Sequence, residues 1–244
     1  MPYKLRQQFH QLRRSFDINN IIRKINGPGF RDILERYKDR DPDPGYSKYL
    51  NLNQWISKQI DEAYRLKLHR QRGLKVLDLG TGCGYFPYIC EYFGHIAYGL
   101  DIDDTPFYNE VTKLLQVRRL VSRITAFEPL PDMGIKFDLI TAFAVCFNNH
   151  NKPDVWGAGE WDYFLSDLVR HHLAPDSRVL LQLNQERTSP VMDTGLLEYF
   201  RQQHAQINEW EVYFPATSTF TLNSDTRNDT EPRTISRRAH PTLG

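Results

Sequence analysis

Apolar residues recur at helical spacing in the first part of the chain. They predict a long amphipathic helix through Leu5, Phe9, Leu12, Phe16, Ile21, Ile22 and Ile25. The run Asn26–Gly29 combines two glycines with a proline and ends that helix. A shorter helix is predicted over Phe30–Tyr37, and a further one between Leu50 and Leu66, after the turn-rich run Asp39–Gly45. Residues 1–72 are therefore predicted to form a helical extension.

From Gly73 onwards, short apolar runs alternate with helical patterns. The β-like runs are Leu74–Leu79, Ile96–Asp101, Arg123–Phe127, Phe137–Phe143 and Val179–Leu183. The helical runs are Tyr85–Phe93, Pro106–Gln116, Trp161–Leu173 and Thr194–His204. Glu211–Phe214 and Thr217–Leu222 are predicted to form a final antiparallel pair. This alternation predicts an α/β domain over 73–222 with a mainly parallel, doubly wound sheet.

The last residues, 223–244, are rich in Ser, Thr, Asn, Asp, Arg and Pro and have almost no large apolar side chains. Such a segment buries too little surface to offset its ordering entropy, which predicts a disordered tail.

The net charge, the apolar runs and the cysteine pattern restrict the class of protein to which the chain could belong. The formal net charge is +1, so the whole chain has no strong preference for polyanions. No apolar run is long enough to span a bilayer, and the N-terminal residues lack the apolar core of a secretory signal. The three cysteines form no CxxC pair, which favours a reducing, cytoplasmic compartment and suggests no metal site. The sequence leaves the oligomeric state open.

The most informative stretch is a glycine loop between a strand and a helix. An apolar run leads into Gly80-Thr81-Gly82-Cys83-Gly84, and the helical pattern starts at Tyr85. Glycines let a ligand approach the backbone closely, and the helix N-terminus beyond offers free N–H groups. The spacing is GxGxG and not the GxGxxG of dinucleotide-binding loops. Asp78 stands two residues before the first glycine, where it would repel a pyrophosphate and suit a cationic ligand.

A second acidic residue ends the next β-like run. Asp101 follows Gly84 by 17 positions, close to the interval of roughly 20 at which an acidic residue binds a ribose. A carboxylate accepts hydrogen bonds from both ribose hydroxyls. The run Asp101–Asp104 is acidic, but Pro106 occupies the position where a calcium loop requires glycine, so we reject a calcium site.

Taken together, VLDLGTGCGYF and GLDID resemble the cofactor motifs of class I S-adenosylmethionine-dependent methyltransferases. The resemblance covers about Leu74–Leu183. It implies a seven-stranded sheet whose last strand is antiparallel, with S-adenosylmethionine as cofactor. Phe137–Ile140 resembles the family's fourth strand, and Leu173–Leu181 its usual turn and fifth strand.

The resemblance implies a set of cofactor-binding residues. Asp78, Gly80, Gly82 and Gly84 would surround the methionine part and Asp101 would bind the ribose, and Thr81, Ile102, Phe127 and Ala142 complete the set. One departure stands out: where the family often has an adenine-binding Asp, the aligned residue is Ala126. Phe127, Glu128 or a backbone amide would have to serve instead.

The acceptor of the methyl group is expected near the end of the fourth strand. His150 is the candidate general base, with a surface or packing role as the alternative. The candidate acceptor-binding residues are Tyr46, Tyr49, Asn148 and Trp156. Trp156 and Trp161 equally suit anchoring of the following helix. The chain lacks the (Asp/Asn)-Pro-Pro-(Tyr/Phe) motif with which related enzymes methylate base amines.

Several functions remain open at this point. The favoured one is a methyltransferase acting on oxygen or nitrogen of a small-molecule acceptor. An RNA or protein methyltransferase would use the basic N-terminal helix. The same helix suits an anionic membrane surface, and it equally suits a solvated helix face or a contact within an oligomer. A third reading is a binding module that retains the fold without turnover. An NAD-dependent oxidoreductase fits the GxGxG loop and Asp78 poorly.

Overall fold

The computed structural model describes residues 3–38, 47–145, 147, 156–184 and 192–216. Its centre is a seven-stranded sheet in the order β3-β2-β1-β4-β5-β7-β6. The strands are β1 Lys75–Leu79, β2 Ile96–Asp101, β3 Arg118–Val121, β4 Phe137–Val145, β5 Leu173–Leu183, β6 Gln206–Asn208 and β7 Glu211–Phe214. Neighbours pair in parallel, except that β7 runs antiparallel to both β5 and β6. The predicted fold, a doubly wound mainly parallel sheet with an antiparallel last strand, is confirmed.

Helices cover both faces of this sheet. They are α1 Tyr3–Ile25, α2 Pro28–Tyr37, α3 Leu52–Arg65, α4 Tyr85–Tyr92, α5 Pro106–Leu114, α6 Ala158–Asp167 and α7 Thr194–Gln202. Alternate residues of β1 enter two different cores: Val76 packs with the residues of α1 to α5, and Leu77 and Leu79 pack with those of α6 and α7. No helix among the described residues is long and apolar enough to cross a membrane.

The N-terminal extension is fastened to the sheet domain by a buried carboxylate. Asp17 of α1 accepts hydrogen bonds from the hydroxyls of Tyr64 at 2.6 Å and Tyr92 at 3.0 Å. Tyr64 lies at the end of α3 and stacks on His69 with 3.9 Å between the ring centres. One carboxylate therefore ties α1 to both α3 and α4. The boundary that we predict at residue 72 falls in a continuous core.

Two strand predictions were wrong. The third strand is Arg118–Val121 and not Arg123–Phe127, because a strand at the sheet edge needs no continuous apolar run. The partner of Glu211–Phe214 is Gln206–Asn208, joined to it by a turn in which Glu209 has φ 50°. Residues 217–222, the predicted partner, lie outside the described part of the chain, as does the predicted tail over 223–244.

Strand order positions the cleft. The chain runs outwards from β1 to β2 and β3, and then returns to place β4 on the other side of β1. The connections that leave the carboxyl ends of β1 and β4 therefore diverge to opposite sides of the sheet. In open α/β sheets this switch point is where ligands bind.

Candidate functional site

The loop after β1 turns through three glycines with positive φ. The φ angles are 63° at Gly80, 53° at Gly82 and 73° at Gly84. A Cβ on Gly80 would overlap Val145, and one on Gly84 would lie 2.9 Å from Val117 and 3.0 Å from Thr112. A Cβ on Gly82 would meet only the Tyr108 ring, at 3.9 Å. Gly80 and Gly84 are thus required by protein packing, whereas a Cβ on Gly82 would make only ordinary van der Waals contact.

The amides of this loop are already engaged. Gly80 and Thr81 both donate to the carbonyl of Leu100, at 2.7 and 3.2 Å, and Gly84 donates to that of Thr81 at 2.9 Å. The Gly82 amide donates to Asp101 Oδ2 at 2.6 Å. A loop that cradles a pyrophosphate instead turns such amides towards the ligand.

Asp101 ends β2 and is held from two sides. Its Oδ1 accepts from the amide of Ile102 at 2.8 Å, and its Oδ2 from that of Gly82. Burial raises the pKa of the Asp101 carboxyl, and the two amide hydrogen bonds oppose that effect. Each oxygen still has a lone pair for a ligand hydroxyl.

Asp78 is the most buried acidic group at the cavity. It is 3% exposed, and its oxygens accept from Thr141 at 2.7 Å and from Thr81 at 2.8 Å. Burial raises the pKa of Asp78 to about 7, although both threonine hydroxyls lower it. Near neutral pH the carboxyl is therefore poised between its two forms, and a cationic ligand would favour the ionised one.

These groups surround a cavity of about 510 Å³ at the switch point. The predicted site residues that line it are Tyr49, Asp78, Gly80, Thr81, Gly82, Asp101, Ile102 and Trp156. Gly84 and Ala142 are absent from its lining, since Gly84 packs against α5 and Ala142 is buried in β4. His150, Tyr46 and Asn148 lie outside the described residues.

Phe127 does not reach this cavity. Its side chain is 57% exposed and packs on Tyr163, with 5.9 Å between the rings. The lining residues that follow β3 are instead Ser122, Arg123 and Ile124. The misplaced third strand caused this difference, because it shifted the segment beyond the strand by several residues.

Two groups of aromatic side chains line the cavity. From the N-terminal extension, Tyr49 packs on Trp55 at 4.5 Å and on Tyr108 of α5 at 5.6 Å between ring centres. After β4, Phe147 packs on Trp156 at 5.1 Å between ring centres. Trp156 also contacts the buried Trp161, so it belongs both to the cavity wall and to the core that anchors α6.

Gln59 was not predicted as a site residue. It lies on α3, lines the cavity and is 9% exposed. Its Oε1 is buried and has no hydrogen-bond partner among the described residues. Burial of an acceptor without a partner costs free energy, so a ligand that donates a hydrogen bond to this oxygen would remove that cost. The signal in the sequence is an amide between Ile56 and Ile60 on the apolar face of α3.

No protein-family model matches the chain, and comparison with curated proteins finds no match. Parts of solved structures do match. An amino pentose methyltransferase from Micromonospora echinaspora, bound to S-adenosylmethionine, has 21% identity over 55% of this chain and 52% of its own, with a TM-score of 0.41. DesVI of Streptomyces venezuelae has 13% identity over 55% of this chain and 53% of its own, with a TM-score of 0.42.

A third match covers nearly the whole of the matching protein. A TehB-like S-adenosylmethionine-dependent methyltransferase from Corynebacterium glutamicum has 17% identity over 64% of this chain and 96% of its own, with a TM-score of 0.42. For the first two proteins, the chain spans about half of their length. The fold is therefore assigned from the strand order of this protein itself.

Proposed function

We propose that this protein is an S-adenosylmethionine-dependent methyltransferase that methylates oxygen or nitrogen of a small-molecule acceptor. The observation that carries this proposal is the pairing of the Gly82 amide with Asp101 in the lining of the switch-point cavity. That hydrogen bond fixes a carboxylate beside a glycine whose Cα faces the cavity. A ribose with two free hydroxyls suits the remaining lone pairs of Asp101.

The polar groups of the cavity fit a cofactor with a cationic amino-acid part. Asp78 supplies a buried carboxyl, and Gln59 supplies a buried acceptor without a partner. Both favour an ammonium group. The amides of Gly80, Thr81 and Gly82 are engaged within the protein, which argues against a dinucleotide pyrophosphate. When bound, S-adenosylmethionine supplies an electrophilic methyl group.

The acceptor is proposed to bind beside the aromatic side chains of the cavity. Tyr49 and Trp55 from the extension line it, and so do Phe147 and Trp156 from the segment after β4. Flat apolar walls of this kind bind the ring of a small molecule and exclude water from the reacting atoms. His150 is proposed as the base for a hydroxyl acceptor.

We place this activity in the cytoplasm. Cys83 and Cys90 are buried free thiols, and the sequence carries no disulfide pattern. Burial raises the pKa of both thiols, so neither is suited to act as a thiolate nucleophile.

A transfer assay tests the proposal. The full chain is incubated with S-adenosylmethionine labelled in its methyl group and with panels of amino sugars, phenols, RNA and unfolded protein. Label in an amino sugar or phenol, lost in Asp101→Ala, supports the proposal. Label in RNA or protein overturns the small-molecule acceptor. Binding of the cofactor without transfer to any panel member would make the protein a binding module.

A further inference from the structure

Helix α1 has apolar residues on two opposite faces. Ile18, Ile21 and Ile25 are buried against the protein. Phe9, Leu12 and Phe16 point the other way and are 61%, 70% and 64% exposed. Packing of the three isoleucines explains how α1 attaches to the rest of the protein. It does not explain why apolar residues also occupy the outer face of the helix.

The three outer residues form one stripe. Positions 9, 12 and 16 follow the spacing i, i+3, i+7, which places them in line on a helix with 3.6 residues per turn. The other large apolar residues that are exposed in the described part of the chain, Ile96, Leu114, Val121 and Phe127, lie on four different segments. Scattered apolar residues need no explanation, whereas a contiguous stripe marks a contact surface.

The charges around the stripe have one sign. Arg13, Arg23 and Lys24 are exposed on α1 and form no ion pair with any described residue. By helical spacing Arg23 continues the line of the stripe, and Arg13 and Lys24 flank it on one side. The one acidic residue of α1, Asp17, is 6% exposed and turned inward to the two tyrosines.

Several contacts hold the helix that carries the stripe against the rest of the protein. Asp17 joins α1 to α3 and α4, His10 packs edge-on against Tyr64 at 5.0 Å, and Arg14 pairs with Asp61 of α3. These contacts lie on the inner side of the same turns that carry Phe9, Leu12 and Phe16. The outer face is therefore presented to a partner without any unfolding of α1.

We propose that this outer face of α1 docks onto an anionic lipid surface. Phe9, Leu12 and Phe16 enter the interfacial layer, and Arg13, Arg23 and Lys24 contact the lipid phosphates. An in-plane helix with an apolar stripe and basic flanks binds membranes in this way. The inference is independent of the chemistry in the cavity.

Two other occupants fit the observations less well. A stable dimer needs about 800 Å² on each partner, and three side chains supply roughly half of that or less. Single-stranded RNA needs stacking platforms interleaved with cations along a groove. Here Leu12, which offers no stacking face, stands at the centre of the stripe.

Vesicle flotation with the full chain tests the proposal. The vesicles consist of phosphatidylcholine alone or of equal parts phosphatidylcholine and phosphatidylglycerol. The variants are F9Q/L12Q/F16Q for the stripe and R13Q/R23Q/K24Q for the cations. V121Q/F127Q, which replaces exposed apolar residues elsewhere, is the matched control. Binding of S-adenosylhomocysteine and thermal unfolding report on folding in each variant.

The wild type and the control are expected to float with the anionic vesicles, and partitioning is expected to fall at least about tenfold in each of the other variants. Absence of wild-type binding to anionic vesicles overturns the proposal. So does equal binding to both lipid compositions, or undiminished binding by the stripe variant. A wild-type dimer that the stripe variant converts to a monomer would show that a second copy covers the stripe.

Discussion

The amide of Gly82 donates a 2.6 Å hydrogen bond to the carboxylate of Asp101, across 19 positions of sequence. This contact joins the loop after β1 to the end of β2. Each motif therefore positions the other. Gly82 adopts a positive φ that glycine accepts readily, and its amide in this conformation reaches the carboxylate, which in turn holds the loop at the cavity.

The glycines of this loop are expected to differ in their roles. Gly82→Ala costs about 1 kcal/mol of stability, because alanine must adopt positive φ although its Cβ would not clash with any neighbour. Its methyl group enters the cavity, so S-adenosylhomocysteine should bind at least about tenfold more weakly. Gly84→Ala adds a close contact with Val117 and Thr112 and should cost about 2–3 kcal/mol.

Urea unfolding and calorimetric titration, applied to both variants, measure these effects separately. Gly84→Ala should unfold more easily than Gly82→Ala and yet bind the ligand more tightly. The opposite ranking in either measurement contradicts the assignment of Gly82 to the ligand and Gly84 to packing.

Cofactor binding is expected to depend on pH through Asp78. Burial raises the pKa of its carboxyl to about 7, so roughly a tenth of the molecules carry the ionised form at about pH 6 and nine-tenths at about pH 8. A ligand ammonium prefers the ionised form. The affinity for S-adenosylhomocysteine should therefore rise about tenfold over this range.

Titration at several pH values tests this, with Asp78→Asn as the comparison. The variant should bind weakly, with an affinity that is nearly independent of pH in this range. A wild-type affinity that is flat or falls as pH rises would remove Asp78 as the partner of the ammonium.

Gln59 is expected to recognise the amino-acid part of the cofactor. Gln59→Leu should weaken S-adenosylhomocysteine binding about tenfold or more, because it removes an acceptor for a charged donor. It should leave 5′-methylthioadenosine unaffected, since that ligand lacks the amino acid. The stability of the variant should be unchanged or higher, because leucine removes a buried acceptor that has no partner among the described residues.

Gln54→Leu, an exposed position on the same helix, is the matched control and should behave as the wild type. Gln59→Glu retains an oxygen acceptor and should keep most of the affinity. Equal weakening of both ligands by Gln59→Leu would point to a general disturbance of the cavity, and no weakening of either would exclude this role.

The sequence predicted the central strands and the glycine loop because their patterns are local. Buried parallel strands are continuous apolar runs, and a tight turn with positive φ requires glycine. It misplaced β3, because Arg118–Val121 lies at the sheet edge and carries two arginines. That single error moved the expected adenine contact to Phe127 and away from Ile124, which lines the cavity.

The sequence places the Gln59 amide on the apolar face of α3, but it does not show that the oxygen of this amide lacks a partner among the described residues. Whether an amide in an amphipathic helix is satisfied depends on what packs around it, and those neighbours come from distant parts of the chain. The same holds for Asp78, whose pKa is raised by burial although hydrogen bonds from the hydroxyls of Thr81 and Thr141 lower it. Spacing alone indicated that Asp78 belongs to the site.

The most direct test of the proposed cofactor is calorimetric titration of the full chain with S-adenosylhomocysteine and, separately, with NADH. Asp101→Ala removes the proposed ribose contact, and Asp104→Ala, an exposed acidic residue outside the cavity lining, serves as its control. Micromolar binding of S-adenosylhomocysteine is predicted for wild type and Asp104→Ala, weakened about a hundredfold in Asp101→Ala. NADH should not bind. Absence of S-adenosylhomocysteine binding to the wild type, or binding of NADH in its place, would contradict the account.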